Sequence, residues 1–321
     1  MCGIIGMIAN RPVAGPIVDA LKRLEYRGYD SAGVATLNGG PAERRRTEGK
    51  LFNLEKSVTE QPLAGRIGIG HTRWATHGAP TERNAHPHRA GRVTIVHNGI
   101  IENYQDLAAE LAAEGITPES ETDTEIVALY FEKLLNDGES PEAAMKQIAL
   151  RVTGAYALVL MIDGEEDLLL CARRASPLAI GYGEGEMFIG SDALALAPFT
   201  RKISYLEDGD WAIIRRAGAE IHDDTGAPVE RKISLTEATG ALIGKGNYRH
   251  FMEKEIHEQP EVMAYTLFQY YSATDRSIKL PALPFDPATL PKLTIVAAGT
   301  SFYAGMVAKY WFETLARVPV E

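Results

Sequence analysis

The second residue of the chain is a cysteine, and the run Cys2–Ala9 that it opens is apolar, punctuated by glycine and read as a strand. Whatever fold the chain adopts must therefore carry a thiol at the very start of a core strand. Removal of Met1 is favoured when the next side chain is small, and cysteine qualifies. The mature chain would then begin with a thiol and a free α-amine on one residue. The amine's reference pKa is about 7.7–8.0 and the thiol's about 8.5, so a proton acceptor near neutrality sits beside a strong nucleophile. Nucleophile and base then come from a single residue, with no separate histidine required. The same position also suits a small buried residue after an ordinary start codon, and one residue does not decide between these readings.

Composition narrows the class without naming it. A length of 321 residues suggests two domains. With 33 lysines and arginines against 43 acidic residues, the net charge of −10 disfavours nonspecific binding to nucleic acid or anionic membrane. The basic run Arg44-Arg45-Arg46 is expected to be a solvated face. Cys2 and Cys171 allow at most one disulfide, and Cys171 lies in the apolar run 167–172, where a core strand with an inert thiol is expected. No basic segment leads into an apolar one at the N-terminus, and no run approaches 18 apolar residues, so a cytoplasmic protein is expected.

Periodicity predicts a dense mixture of strands and helices over the first 240 or so residues. Helical spacing covers residues 16–24, with Ile17, Leu21 and Leu24 on one face, and again 103–114 and 124–135. Ser140-Pro141 reads as an N-cap followed by proline at the first helical position. Short strands are expected at 32–37, 66–70, 93–96, 155–162, 168–172, 178–182, 187–189 and 210–215, the third ending in a turn at Asn98-Gly99. Spacing alone gives an α+β class. Farther on, a long helix is predicted from Phe251, interrupted at Pro260. The apolar run 293–298, the small turn Gly299-Thr300-Ser301 and a helix from Tyr303 make a strand–turn–helix unit of the kind that can hold a phosphate.

Five strings carry a resemblance beyond the Cys-Gly-Ile-Ile-Gly start. They are Tyr26-Arg27-Gly28-Tyr29-Asp30-Ser31, His71-Thr72-Arg73-Trp74-Ala75-Thr76-His77-Gly78, Asn84-Ala85-His86-Pro87-His88, His97-Asn98-Gly99 and Glu121-Thr122-Asp123-Thr124-Glu125. Together they resemble the class II (N-terminal-nucleophile) glutamine amidotransferases, and among these the glutamine–fructose-6-phosphate amidotransferases, over residues 2 to about 317. The resemblance implies a four-layer αββα sandwich over residues 2–225, a linker and connecting helix over 226–291, and over 292–321 the truncated start of an α/β sugar-isomerase (SIS) domain. Members continue through two complete SIS domains, and one β–α unit cannot bury its own apolar face, so a fragment of a longer protein is expected.

The resemblance also assigns roles. Cys2 would attack the side-chain carbonyl of L-glutamine, and the Asn98 amide with the Gly99 N–H would hold the oxyanion. Arg73 suits the substrate carboxylate, because its planar fork can pair bidentately, and Asp123 suits the ammonium. Trp74, Thr76 and His77 fall in the same glutamine-site loop, Trp74 gating the exit of ammonia, and Arg27 in a loop closing over Cys2. Thr300 and Ser301 would contact the sugar phosphate, although the family has cysteine where this chain has Ala298. No cofactor and no metal are expected, despite His71, His77, His86, His88 and His97, because no familiar zinc spacing is present. Fructose 6-phosphate and a homodimer through SIS domains are implied for the complete protein. Two readings stay open: a class II amidotransferase with another acceptor, and a non-catalytic sugar-phosphate-binding or regulatory module.

Overall fold

A computed structural model describes the chain except Met1 and residues 26–27, 75–77, 237–247, 249, 273–276 and 279–282. It divides into two compact units, Met1–Asn247 and Tyr248–Glu321.

In the first unit, apolar alternation builds two antiparallel sheets. The first contains β1 (Gly3–Ile8), β2 (Ser31–Leu37), β3 (Glu43–Glu48), β4 (Ile67–Arg73), β9 (Ala179–Tyr182), β10 (Met187–Gly190), β11 (Lys202–Tyr205) and β15 (Ser234–Leu235). Its order is β15-β11-β9-β10-β1-β4-β2-β3. The second contains β5 (His88–Ala90), β6 (Val93–Ile101), β7 (Gly154–Ile162), β8 (Leu169–Arg174), β12 (Trp211–Arg215), β13 (Gly218–His222) and β14 (Pro228–Val229), ordered β14-β13-β12-β8-β7-β6-β5.

Period-two alternation assigns the faces. Ile4 and Ile8 of β1 pack with Ile69, Val96, Val159 and Cys171 between the sheets. Ile5 and Met7 point the other way, onto Ile17 and Leu21 of α1 (Ala14–Lys22) and Leu51 and Leu54 of α2 (Leu51–Glu60). The outer face of the second sheet is covered by α3 (Tyr104–Ala113), α4 (Asp123–Asn136) and α5 (Pro141–Arg151), with Val127, Phe131, Met145 and Ile148 against Ile95, Leu158 and Leu160. The layers are αββα. A short α6 (Ala193–Leu196) joins the α1 side. Ser140 caps α5 through the Ala143 N–H, with Pro141 at the first helical position. Burial pushes the Cys171 thiol up to about 12, as suits an inert core group.

Three local expectations fail. β6 does not turn at Asn98-Gly99 but runs on to Ile101, paired throughout with β7. An Asn-Gly pair favours a hairpin only when the strand lacks a partner beyond it, and here Gly154–Tyr156 supplies one. Arg44-Arg45-Arg46 is no solvated face: it lies in β3, half-buried, where the Arg46 guanidinium donates to the Arg83 and Ala85 carbonyls at 3.1 Å each. Residues 228–229 and 234–235, placed in the linker, pair as β14 and β15 within the sheets.

In the second unit, α7 (Phe251–Tyr270) continues through Pro260, and a two-stranded ribbon pairs β16 (Tyr271–Ser272) with β17 (Ser277–Ile278). The apolar run after Lys292 forms no ladder strand; Leu293 bridges Val320, with Leu293 N–H donating to Pro319 at 2.9 Å. A parallel strand is stable in a sheet covered on both faces, and among the described residues this run pairs only with the short segment ending at Glu321. Helix α8 (Gly299–Trp311) starts four residues earlier than predicted and buries no residue. Among the described residues, no helix is long and apolar enough to cross a membrane.

Candidate active site

Strand β1 lies between β10 and β4, and the register Gly3↔Thr72 sets Cys2 beside the end of β4. There the Trp74 N–H donates to the Cys2 sulfur at 3.2 Å. Burial pushes the Cys2 thiol up, opposed by that N–H and by the charge of Arg73.

From the facing sheet, β6 contributes Asn98 and Gly99. The Asn98 amide nitrogen donates to the Cys2 carbonyl at 3.3 Å, and its oxygen lies 2.9 Å from His71 Nε2. Gly99 has φ +119°, and a Cβ there would stand 1.9 Å from the Ala155 carbonyl oxygen. Only glycine fits, so the backbone at this point can carry a bend while remaining paired.

Two charged groups complete the constellation. Asp123 is the first residue of α4 and is buried; its carboxylate accepts from the Ile101 N–H at 2.9 Å and from the Thr124 hydroxyl at 3.3 Å. Arg73 donates to the Gly78 and Ala79 carbonyls at 3.3 Å each, and burial lowers its pKa while Asp30 and Asp123 oppose the drop. Cys2, Arg73, Trp74, Gly99 and Asp123 line one cleft. A thiol, convergent donors and an Arg–Asp pair are what acyl transfer from a zwitterionic amino acid requires.

A family model of the glutamine amidotransferase domain matches residues 71–198, the span that holds Arg73, Asn98, Gly99 and Asp123. Across all 321 residues the chain is 57% identical to a glutamine–fructose-6-phosphate aminotransferase (isomerizing) of Brucella suis biovar 1, covering 53% of that protein. Residues 71–198 thus match the glutamine amidotransferase domain. The same enzyme of Agrobacterium fabrum is 56% identical, again over the whole chain and 53% of the relative. The chain thus spans about half the length of the curated relatives it matches. Among solved structures, glutamine phosphoribosylpyrophosphate amidotransferase from B. subtilis aligns with TM-score 0.61 at 22% identity, covering 69% of this chain and 49% of that one. At that identity the likeness speaks for the fold.

In the structure, Cys2, Asn98, Gly99, Arg73, Trp74 and Asp123 come together. Trp74 is exposed, its indole against Gly28. Arg27, Thr76 and His77 lie outside the described residues. Thr300 and Ser301 occupy the first turn of α8 in the second unit, both exposed, rather than a turn ahead of the helix.

What sequence reasoning missed is the role of the histidines. His71, His86, His88 and His97 are all buried. The His71 and His86 rings stack at 4.2 Å, with His88 edge-on to His86 at 4.8 Å. Burial pushes His71 and His88 down to about 3 and His86 well below its ordinary value, so the rings are neutral. Among the described residues, no three His, Cys, Asp or Glu side chains close on a metal position. They form a packed floor beneath the cleft. A signal existed in the alternation Ile67, Ile69, His71, which puts that histidine on the same face as two core isoleucines.

Proposed function

We propose that the chain is the glutaminase part of a glutamine–fructose-6-phosphate amidotransferase, spanning residues 2–225, followed by a connecting segment (226–291) and the first strand and helix of a SIS domain (292–321). The observation that carries this reading is Cys2 at the start of β1, its carbonyl accepting from the Asn98 amide and the residue lining one cleft with Gly99, Arg73 and Asp123.

With Met1 removed, the α-amine of Cys2 takes the thiol proton as sulfur attacks the side-chain carbonyl of L-glutamine. The Asn98 amide and the Gly99 N–H stabilise the tetrahedral oxyanion; losing one such donor costs about 100- to 1000-fold in rate. The α-ammonium returns the proton to the leaving nitrogen, ammonia departs, and water releases glutamate from the thioester. Arg73 pairs with the substrate carboxylate and Asp123 with its ammonium. Trp74 gates the ammonia exit, Thr76 and His77 bind glutamine together with Arg73, and Arg27 acts in the segment closing over Cys2. In the complete protein, ammonia passes to fructose 6-phosphate, bound through Thr300 and Ser301 among others, to form glucosamine 6-phosphate. That protein works in the cytoplasm as a homodimer through its SIS domains.

The test is glutamate release from glutamine by the purified, Met1-processed chain, with Cys2→Ala as control. Release that disappears in the variant is expected. Equal release by the variant removes the nucleophile, and glutamine binding without any release removes the enzymatic reading.

A further inference from the structure

Asn98 can present its amide nitrogen to the cleft only if something holds its oxygen elsewhere. The two ends of a side-chain amide are nearly the same size, so shape alone does not choose between them. The neighbours do. At one end lies the Cys2 carbonyl, an acceptor only, at 3.3 Å. The amide nitrogen must face it, because the flipped amide would set two oxygens against each other. The Asn98 oxygen is then turned to His71 Nε2 at 2.9 Å, where an N–H is required. His71 is fully buried, and burial pushes it down to about 3, so the ring carries one proton and keeps it at Nε2.

The ring is held in turn. Its face stacks on His86 at 4.2 Å with 16° between planes. His86 Nδ1 accepts the His97 N–H at 3.2 Å, which leaves the His86 proton on Nε2, 3.4 Å from the Thr124 hydroxyl. That hydroxyl donates to Asp123 at 3.3 Å. A stacked imidazole therefore ties the Asn98 amide to the segment that carries Asp123.

We propose that His71 is a positioning residue: its Nε2–H holds the Asn98 carbonyl oxygen and so keeps the amide N–H₂ aimed at the oxyanion formed on attack by Cys2. This rests on the reading of Asn98 as an oxyanion donor. His71 touches neither substrate nor sulfur in this role, and moves no proton. It acts by removing the wrong orientation of another side chain, so it contributes to the transition state and little to substrate affinity.

The test combines a spectroscopic measurement with a double-mutant cycle. In the unmutated chain, ¹⁵N NMR of the His71 ring is expected to show the Nε2–H tautomer, without titration down to pH 5; an Nδ1–H ring overturns the proposal whatever the variants do. In glutamine hydrolysis, His71→Leu is expected to lower kcat by about 10- to 1000-fold, the upper figure being outright loss of the donor, with KM changed little. His71→Gln, whose amide can reach Asn98 with an N–H, recovers kcat to within about tenfold of wild type, a loss no greater than the smallest expected for His71→Leu. In an Asn98→Ala background, His71→Leu causes no further loss. A loss from His71→Leu that is as large in that background, or that falls on KM alone, overturns the positioning role. If Asn98→Ala by itself keeps full kcat, the underlying assignment of Asn98 fails instead, and that outcome is read from the single variant before His71 is touched.

Discussion

The Asp123 carboxylate stands 2.9 Å from the backbone nitrogen of Ile101, two residues beyond Gly99 in the same strand. One carboxylate thus pins the start of α4 to the end of β6 while the residue also lines the cleft.

Asp123→Asn keeps an oxygen for the Ile101 N–H and removes the charge, while the Thr124 hydroxyl must turn to accept from the new amide nitrogen instead of donating. The fold should persist, with an unchanged thermal midpoint. The KM for glutamine should rise about 10- to 100-fold, matching the roughly 1.5–3 kcal/mol of a charge-assisted hydrogen bond, while kcat changes little. An unaltered KM would show that the substrate ammonium is bound elsewhere.

Gly99→Ala tests the backbone rather than a side chain. Alanine at φ +119° carries strain of about 1–3 kcal/mol, and its Cβ meets the Ala155 carbonyl oxygen at 1.9 Å. The strand must shift and the Gly99 N–H with it. We expect a lower unfolding temperature together with a kcat loss on the order of 100-fold or more. Wild-type kinetics in a folded variant would remove Gly99 from the oxyanion site.

The buried histidines set an acid limit on stability. Their folded-state pKa values are lowered, to about 3 for His71 and His88 and in the same direction for His86. Unfolded histidine titrates near 6.5, so below that pH the unfolded chain binds protons that the folded chain refuses. Stability is fully present above about pH 6.5 and is lost as pH falls toward the folded values, by about 1.4 kcal/mol per pH unit for each histidine once it is protonated in the unfolded state. Urea midpoints at pH 7.5, 6.5 and 5.5 should fall steeply over the last step. A flat profile would contradict the burial of neutral rings.

Thr122 caps α4, its hydroxyl accepting the Glu125 N–H at 3.3 Å, and also lies 3.2 Å from His88 Nε2. Thr122→Ala should cost about 0.5–2 kcal/mol in denaturant unfolding. Thr122→Ser should recover most of it, since the oxygen is retained. Equal losses in the two variants would mean the hydroxyl is not the stabilising group.

How far the chain could be read without its structure follows from the range of the forces involved. Ser140-Pro141 announced α5, and Ile17 and Leu21 announced the buried face of α1, because caps and helical spacing are local. Helix α2 went unread: only Leu51 and Leu54 of its ten residues are buried, too few to mark a period. Asn98-Gly99 misled because turn preference is a property of two residues, whereas the pairing that overrides it comes from Tyr156 and Ala157, more than fifty positions away. The same holds for Arg44 and Arg46, whose burial is decided by carbonyls of the segment 83–87.

Residue chemistry is written in the chain: a terminal thiol, an arginine fork, an acidic helix start and a glycine with no tolerable replacement are each present as letters, and their strings sufficed to point to a family. Convergence is not. Cys2, Arg73, Gly99 and Asp123 share a cleft, with Asn98 against Cys2, because two sheets pack face to face and bring the ends of β1, β4 and β6 to the start of α4. The neutrality of the histidine floor and the orientation of the Asn98 amide belong wholly to that packing. Desolvation and hydrogen-bond exclusion act only between groups that tertiary structure has already enclosed.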